Sequence, residues 1–424
     1  MNFLFIQLYL LLVLLRPQDY PQLVDSMPFP LLPSTLAVAL LAWLPSRDKS
    51  FAAPQYPLVV VFLVVLMVSK LVNGWAGGMY EQLAFFGPIV IAFVLMANAT
   101  MTMKRDSITM ALFGASAAVL ALHGILQVET GVGWTGEVLS QGTRIQYVGI
   151  FNDPNDLGLL FVMCLPMVIY LGTRGGMLGL RRLFWFAVAG MLLYGIFLTN
   201  SRGAMLATAV LVAAYFWYRR GAFTAGIFGA ACLGVMLVLP SRMQELDAGE
   251  ESAAGRVDAW YQGIQMFLEQ PIFGVGAGNF TENNPLTAHN SFVLVLAETG
   301  YVGFTVWLAF VAYCFWMVAA VLKHEPPLPD EAATEAWVAE KAMARTLLFS
   351  LTGFFSAAFF LSRSYVILLY LLAGLVVGYY TGARVRWPTL PQFALQKDLI
   401  RWPVMSLLGI IALYIVTRVL LLKQ

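Results

Sequence analysis

Charged residues are scarce in this sequence. Only 11% of its 424 residues are Asp, Glu, Lys or Arg, whereas 60% are hydrophobic. A water-soluble core of this length could not bury so much apolar surface, so we expect lipid to solvate the chain. The formal net charge of +2 gives no general attraction to nucleic acid, and no nucleic-acid partner is expected.

Cysteine is also rare. The three cysteines, Cys164, Cys232 and Cys314, each lie inside an apolar run, where a thiol behaves as a small buried hydrophobic group. The sequence therefore predicts neither a disulfide framework nor a thiolate metal site.

Apolar runs long enough to cross a bilayer recur along the whole sequence. They predict an all-α polytopic membrane protein, with residues 1–424 as a single transmembrane domain of about 12 or 13 helices. The predicted spans are residues 2–16, 31–45, 58–73, 80–99, 107–128, 156–173, 183–199, 203–218, 222–240, 290–321, 343–362, 364–381 and 402–421. A cytoplasmic N-terminus places most of the 25 Lys and Arg residues on the cytoplasmic side, in agreement with the positive-inside rule. The last segment either crosses the membrane or lies on its surface.

Three segments between the predicted spans are long and polar. Residues 129–155 and 241–289 fall on the non-cytoplasmic side, and loops of such length are usually functional or disordered. The second contains an amphipathic stretch from Ala259 to Leu268, which predicts an ordered lid with a short helix. Residues 322–342 are predicted to be a cytoplasmic loop with a short amphipathic helix.

Five arginines fall on the side where the positive-inside rule disfavours them: Arg144, Arg202, Arg242, Arg256 and Arg363. A guanidinium group offers a rigid fork of donors that matches phosphate oxygens and keeps its charge at any working pH. We therefore predict that Arg144, Arg202, Arg256 and Arg363 bind a diphosphate. The alternative for each is a side chain that anchors a helix end at the headgroups, and this is the expected role of Arg242.

His289 lies in a non-cytoplasmic loop, directly before the apolar run that begins at Ser291. The partial positive charge of a helix N-terminus favours a neutral imidazole, which can accept a proton. We predict that His289 is a general base, the alternative being a polar residue that satisfies the helix start. His123, inside the fifth predicted span, is expected to make a structural hydrogen bond to a neighbouring helix.

Two aspartates lie at the start of the sixth predicted span. Asp153 occupies an N-cap position, Pro154 the first helical position and Asp156 the first turn. This pattern predicts helix capping, with acceptor binding as a second possible role for both aspartates and for Asn290. A divalent cation would require several more oxygen ligands, so no metal is expected. Gly274, Gly276 and Gly278 predict a tight turn rather than a nucleotide site.

Several short motifs occur in a fixed order along the chain. They are Ser201-Arg202-Gly203-Ala204, Gly255-Arg256-Val257-Asp258-Ala259-Trp260, Pro271-Ile272-Phe273-Gly274-Val275-Gly276-Ala277-Gly278-Asn279-Phe280, His289-Asn290-Ser291-Phe292 and Glu298-Thr299-Gly300. Together, over about residues 145–310, they resemble the O-antigen ligase and polymerase superfamily. The resemblance implies a fold similar to the GT-C class.

That resemblance also implies an activity. Such a protein is a metal-independent, inverting glycosyltransferase without a cofactor, embedded among the lipids of the bacterial inner membrane with its active site facing the periplasm. It transfers a glycan from undecaprenyl diphosphate to a lipid or glycan acceptor, beneath the periplasmic loop 241–289. By the same resemblance, His289 activates the acceptor hydroxyl, and Arg202 and Arg256 hold the lipid-linked diphosphate.

The motifs leave alternatives open. A ligase that joins a finished glycan to an acceptor and a polymerase that joins repeat units need the same base and the same diphosphate clamp. A transporter or flippase is a third hypothesis, because polar residues within spans can mark a substrate pathway. Transport folds often contain inverted repeats and broken helices, and the sequence pattern indicates neither.

Overall fold

The structure, a computed structural model, describes residues 2–24, 30–174, 179–238 and 251–422. Within these ranges the regular structure is helical, apart from two isolated β-bridges and short 3-10 turns. The helices are α1 (Asn2–Leu15), α2 (Pro21–Val24), α3 (Leu31–Trp43), α4 (Gln55–Val72), α5 (Gly77–Ala99), α6 (Met103–Thr130), α7 (Pro154–Thr173), α8 (Leu180–Leu198), α9 (Arg202–Arg220), α10 (Ala222–Val238), α11 (Glu251–Glu269), α12 (Phe280–Asn283), α13 (Ser291–Lys323), α14 (Glu331–Ala358), α15 (Ile367–Arg386) and α16 (Arg401–Leu421). The all-α prediction is confirmed for these residues.

Eight of the described helices are long and apolar enough to cross a membrane: α4, α5, α6, α7, α8, α13, α15 and α16. Helices α3 and α10 are apolar but shorter. Because these helices leave many large apolar side chains exposed, lipid must cover their outer surface, and the chain is a multi-pass membrane protein. The count of 12 or 13 spans stays a prediction.

Helix α16 packs alongside α13. The rings of Trp402 and Tyr313 lie 4.8 Å apart, and Gly409 faces Phe304. Most large apolar side chains of α16 are nevertheless exposed, among them Leu407, Leu408, Ile411 and Ile415. The helix therefore lies at the edge of the bundle, beside a candidate span.

Helix α13 is broken at Gly300, whose φ of 62° and ψ of −161° are not helical. The rings of Phe292 and Trp307 lie 5.3 Å apart, although fifteen residues of straight helix would separate them by about 22 Å. The chain therefore folds back at Gly300, and a short arm (291–299) packs against a long arm (301–323). The predicted single span over residues 290–321 is wrong in this respect, and so is the expectation that no helix is broken.

The ends of several helices meet at one end of the bundle, which we call the site end. The starts of α7 and α9 touch, since a Cβ at Gly158 would lie 2.7 Å from that of Ala204. The start of α9 also touches the segment between α14 and α15, because a Cβ at Gly203 would lie 3.2 Å from that of Phe360. The start of α6 and the last turn of α15 lie at the opposite end, where Arg386 donates to the carbonyl of Met101.

Two loop predictions change in the structure. Residues 331–342, predicted as part of a loop over 322–342, form the first turns of α14, which Asp330 caps by accepting from the N–H of Ala333 at 2.7 Å. The connection from α13 is therefore only residues 324–330. In the predicted loop 241–289, residues 251–269 form the amphipathic helix α11, longer at both ends than the stretch that predicted it. Residues 241–250 lie outside the described part of the chain.

Candidate active site

The start of α7 is capped as the sequence predicts. The carboxylate of Asp153 accepts from the backbone N–H of Asn155 at 2.9 Å, and Pro154 occupies the first helical position. An acidic first turn suits the partial positive charge of a helix N-terminus. The capping role of Asp153 is therefore confirmed, and its carboxylate is fixed at the site end.

Arg144 links the loop before α7 to the start of α9. Its Nε donates to the carbonyl of Thr199 at 2.9 Å, and its Nη2 donates to Oδ1 of Asn155 at 3.0 Å. The same Oδ1 accepts from the hydroxyl of Ser201 at 2.7 Å, and Ser201 caps α9. Arg144 is buried, so in this structure it joins elements of the protein rather than reaching lipid headgroups.

Arg363 lies between the two aspartates. Its Nε and Nη2 donate to the two carboxylate oxygens of Asp156, Nη2 at 2.6 Å, and Nη2 lies 3.9 Å from Oδ2 of Asp153. Burial disfavours the charged guanidinium, but the hydrogen bonds and charge of Asp156 outweigh burial and raise the pKa of Arg363. Asp156 thus has a partner that the sequence did not indicate. Arg363 forms a bidentate ion pair with this aspartate rather than anchoring a helix end at the membrane surface.

His289 enters α13 with a backbone φ of 46°, in the left-handed region that is uncommon for residues other than glycine. Burial lowers the pKa of its half-buried imidazole, and the positive charges of Arg256 and Arg363 lower this pKa further. The negative charge of Asp153 raises the pKa and partly opposes these effects. A neutral ring is therefore favoured. The sequence predicted a neutral ring from the helix N-terminus, whereas in the structure burial and two arginines are responsible.

Hydrogen bonds fix His289 relative to Arg363. The hydroxyl of Ser291 donates to the carbonyl of Leu361 at 2.6 Å and accepts from the backbone N–H of Arg363 at 2.9 Å. The hydroxyl of Ser364 donates to the carbonyl of Ser291 at 2.7 Å. These bonds tie the start of the short arm to the segment between α14 and α15. Sequence reasoning missed the roles of both serines, because nothing local shows that residues 70 or more positions apart meet.

Asn290 caps the short arm. Its side-chain oxygen accepts from the backbone N–H groups of Phe292 at 2.9 Å and Val293 at 3.1 Å. Asn290 is fully buried, so of the two roles predicted for it the structural one is the one seen here.

Arg202 and Arg256 come to the site end on different helices. Arg202 is the first residue of α9, between the Ser201 cap and Gly203. Arg256 lies on α11, close enough to His289 to act on its charge, and the neighbouring Gly255 faces Leu286. Arg242 lies outside the described residues.

Residues 159–308 match the family model described as O-Antigen ligase. The resemblance to the O-antigen ligase and polymerase superfamily is confirmed. Members of this family are glycosyltransferase-like ligases or polymerases. No curated protein matches the chain. The matched part contains four predicted site residues: Arg202, Arg256, His289 and Asn290.

The O-antigen ligase match begins after Asp156 and ends before Arg363. The tertiary structure alone therefore connects this ion pair with the matched part of the chain. The charged residues predicted for the site are four arginines and two aspartates. Among the described residues no group of three or more His, Cys, Asp or Glu side chains could hold a metal ion.

Behind the short arm lies a polar layer that sequence reasoning missed. Buried Lys70 on α4 donates to the side chain of Asn279, and Oε1 of buried Glu298 accepts from the N–H of Phe280 at 3.2 Å. The N–H of Ala277 donates to the hydroxyl of Ser69 at 3.0 Å. Glu298 therefore holds the end of the glycine turn in place.

The glycine turn has the geometry that the sequence predicts. Gly274, Gly276 and Gly278 have φ values of 67°, 101° and 81°. The turn packs beside the end of the short arm, where the N–H of Gly276 donates to the carbonyl of Glu298 at 3.1 Å. The predicted tight turn is therefore present at these glycines.

Proposed function

We propose that this chain is a metal-independent, inverting glycosyltransferase that moves a glycan from undecaprenyl diphosphate to a hydroxyl of a lipid or glycan acceptor. The main support for the proposal is the position of His289 near Arg256, Arg363 and Asp153, at a helix start within the part of the chain that matches the O-antigen ligase family model. In this proposal the site end faces the periplasm across the bacterial inner membrane.

The proposed reaction is a single displacement. The neutral imidazole of His289 accepts the proton of the acceptor hydroxyl, and the acceptor oxygen forms a bond to the anomeric carbon. The bond between that carbon and the diphosphate oxygen breaks, and its electron pair leaves with undecaprenyl diphosphate. Attack opposite the leaving group inverts the anomeric configuration.

Arginine side chains can stabilise the diphosphate leaving group. Negative charge grows on the departing diphosphate, and preorganised cationic donors in a water-poor cleft stabilise such charge strongly. We assign this role first to Arg202 and Arg256, on the family motifs. Arg144 and Arg363, which are already held by Asn155 and Asp156, would act by their charge and by positioning.

Transfer by the purified protein tests the proposal. With an undecaprenyl-diphosphate glycan and a lipid acceptor in detergent, we expect glycosylated acceptor, free undecaprenyl diphosphate and an inverted anomeric centre by NMR. A chelator is expected to leave the rate unchanged. Product found only as longer glycan on the carrier would identify a polymerase. A retained anomeric configuration, or no transfer to the lipid acceptor or to the carrier-linked glycan, would contradict the proposal.

The charges around His289 predict two opposite changes in the pH dependence. Arg256→Gln removes a charge that disfavours imidazolium, so the pKa of His289 should rise and the acid limb of kcat/KM should move to higher pH. Asp153→Asn removes a charge that favours imidazolium, so the limb should move to lower pH, while asparagine still caps α7. Both are measured as kcat/KM against pH.

A third variant is the control for this pair. Asp258 is exposed on α11, two residues from Arg256, so Asp258→Asn changes charge by the same amount as Asp153→Asn. Its acid limb should coincide with that of the parent protein. Shifts of the same sign in Arg256→Gln and Asp153→Asn would show that His289 does not set the limb.

A further inference from the structure

Two buried carboxyl groups lie at the opposite end of the bundle from His289. Asp106 is in the first turn of α6 and Glu340 is in the third turn of α14, with exposed fractions of 0% and 2%. They interact electrostatically with each other and with Arg386, at the end of α15. The proposed glycosyl transfer uses none of these groups.

Arg386 satisfies only one of the four carboxylate oxygens. Its Nε donates to Oε1 of Glu340, and its Nη1 donates to the carbonyl of Met101 at 3.1 Å. Both oxygens of Asp106 and Oε2 of Glu340 are buried without a hydrogen-bond partner among the described residues. Buried polar atoms in native proteins almost always have a partner, so these three oxygens require one.

A fourth oxygen belongs to the same cluster. The buried hydroxyl of Tyr170, near the end of α7, interacts electrostatically with both carboxyl groups, and Ser107 and Arg174 are its other polar neighbours. Three different helices thus present oxygens to one cluster. An all-oxygen set of this kind suits a hard metal cation.

The charge balance selects the class of cation. Among the described residues Arg386 forms an ion pair with Glu340, whereas Arg174, which lies near Tyr170, is exposed. The two carboxylates of Asp106 and Glu340 therefore carry one negative charge beyond that ion pair in a buried place. An uncompensated buried charge is strongly unfavourable, and a single positive charge would neutralise it. We propose that Asp106, Glu340 and Tyr170 bind a monovalent metal cation at this end of the bundle.

Thermal stability and ion binding test this site. The Tm of the purified full-length chain in detergent is measured in choline chloride, NaCl and KCl at one ionic strength, together with equilibrium binding of radioactive sodium. We expect a higher Tm in NaCl or KCl than in choline chloride, because a ligand that binds only the folded state stabilises it. We also expect saturable binding that approaches one ion per chain.

Asp106→Asn removes the charge without changing the shape of the side chain. It should abolish the salt-specific rise in Tm and the ion binding. Tyr170→Phe removes one oxygen and no charge, so it should raise the half-saturating cation concentration. The latter variant still tests the site if loss of the carboxylate prevents folding.

Asp398 provides a matched control. It is a buried aspartate whose oxygens already have partners, the hydroxyl of Tyr313 and Nη1 of Arg401, both at 2.8 Å. Asp398→Asn should therefore keep the salt-specific response even if its Tm is lower. Equal Tm values in all three salts, or a response that Asp106→Asn retains, would overturn the proposal. A Tm that depends on pH alone would likewise overturn it, because a proton shared by the carboxyl groups would then satisfy them.

Discussion

Replacing His289 is expected to lower kcat for glycan transfer by about 10²–10⁴-fold, the usual contribution of a positioned general base. The KM for the lipid-linked donor should change little, because the proton is transferred in the transition state and the donor diphosphate is held by the arginines. The measurement is initial-rate transfer by His289→Ala and His289→Asn in detergent, with donor and acceptor varied separately.

The two variants distinguish a catalytic role of His289 from a structural role. The backbone of His289 has a φ of 46°, which asparagine tolerates better than alanine does. His289→Asn should therefore keep the Tm of the parent protein while it loses activity. Full activity in His289→Asn would show that His289 has only a structural role at the helix start and that another group is the general base.

A histidine at the opposite end of the bundle is the control for this prediction. His324 follows α13 and lies 2.8 Å from the hydroxyl of Thr389, remote from the aspartates and arginines of the site end. His324→Ala should transfer glycan at the parent rate. A comparable loss in this variant would point to a general effect on folding.

Gly300→Ala is expected to lower the free energy of unfolding by about 2–6 kcal/mol, the sum of backbone strain and overpacking. The φ of 62° and ψ of −161° at Gly300 belong to a region that only glycine occupies readily. A Cβ there would lie 2.5 Å from the carbonyl carbon and oxygen of Ile272 and 2.7 Å from the nitrogen of Gly274, all of them backbone atoms. Because backbone cannot rotate away, the short arm and His289 must shift. Transfer activity should therefore fall together with Tm.

A glycine in open surroundings is the matched control. Gly190 lies on an exposed face of α8, and a Cβ there would meet nothing within 4 Å. Gly190→Ala should stabilise the protein by roughly 0.5–1 kcal/mol, the usual advantage of alanine over glycine in a helix. If Gly300→Ala kept the parental Tm, the fold-back at Gly300 would not be part of the native structure.

Helix α7 shows how far local sequence signals reach. The signals that predict it are an N-cap aspartate, a proline at the first helical position and an apolar run, and they follow one another directly in the sequence. The predicted start of the helix was confirmed. The glycine turn and the amphipathic helix α11 were also predictable, because turn geometry and helical periodicity repeat over a few residues. The ion pair of Asp156 and Arg363 was not predictable, since 207 positions separate the partners.

The sequence by itself determined that this chain is helical and membrane-embedded, because a 60% hydrophobic composition with regularly spaced apolar runs admits little else. It also indicated the resemblance to the O-antigen ligase and polymerase superfamily and the main candidates, His289, Arg202 and Arg256. Only the tertiary structure decided that α13 folds back at Gly300 and that Arg363 pairs with Asp156. It likewise decided that the unsatisfied carboxyl groups of Asp106 and Glu340 share one cluster. Apolar helices in lipid carry little information about which face meets which neighbour, so contacts between distant segments arise only when the whole bundle packs.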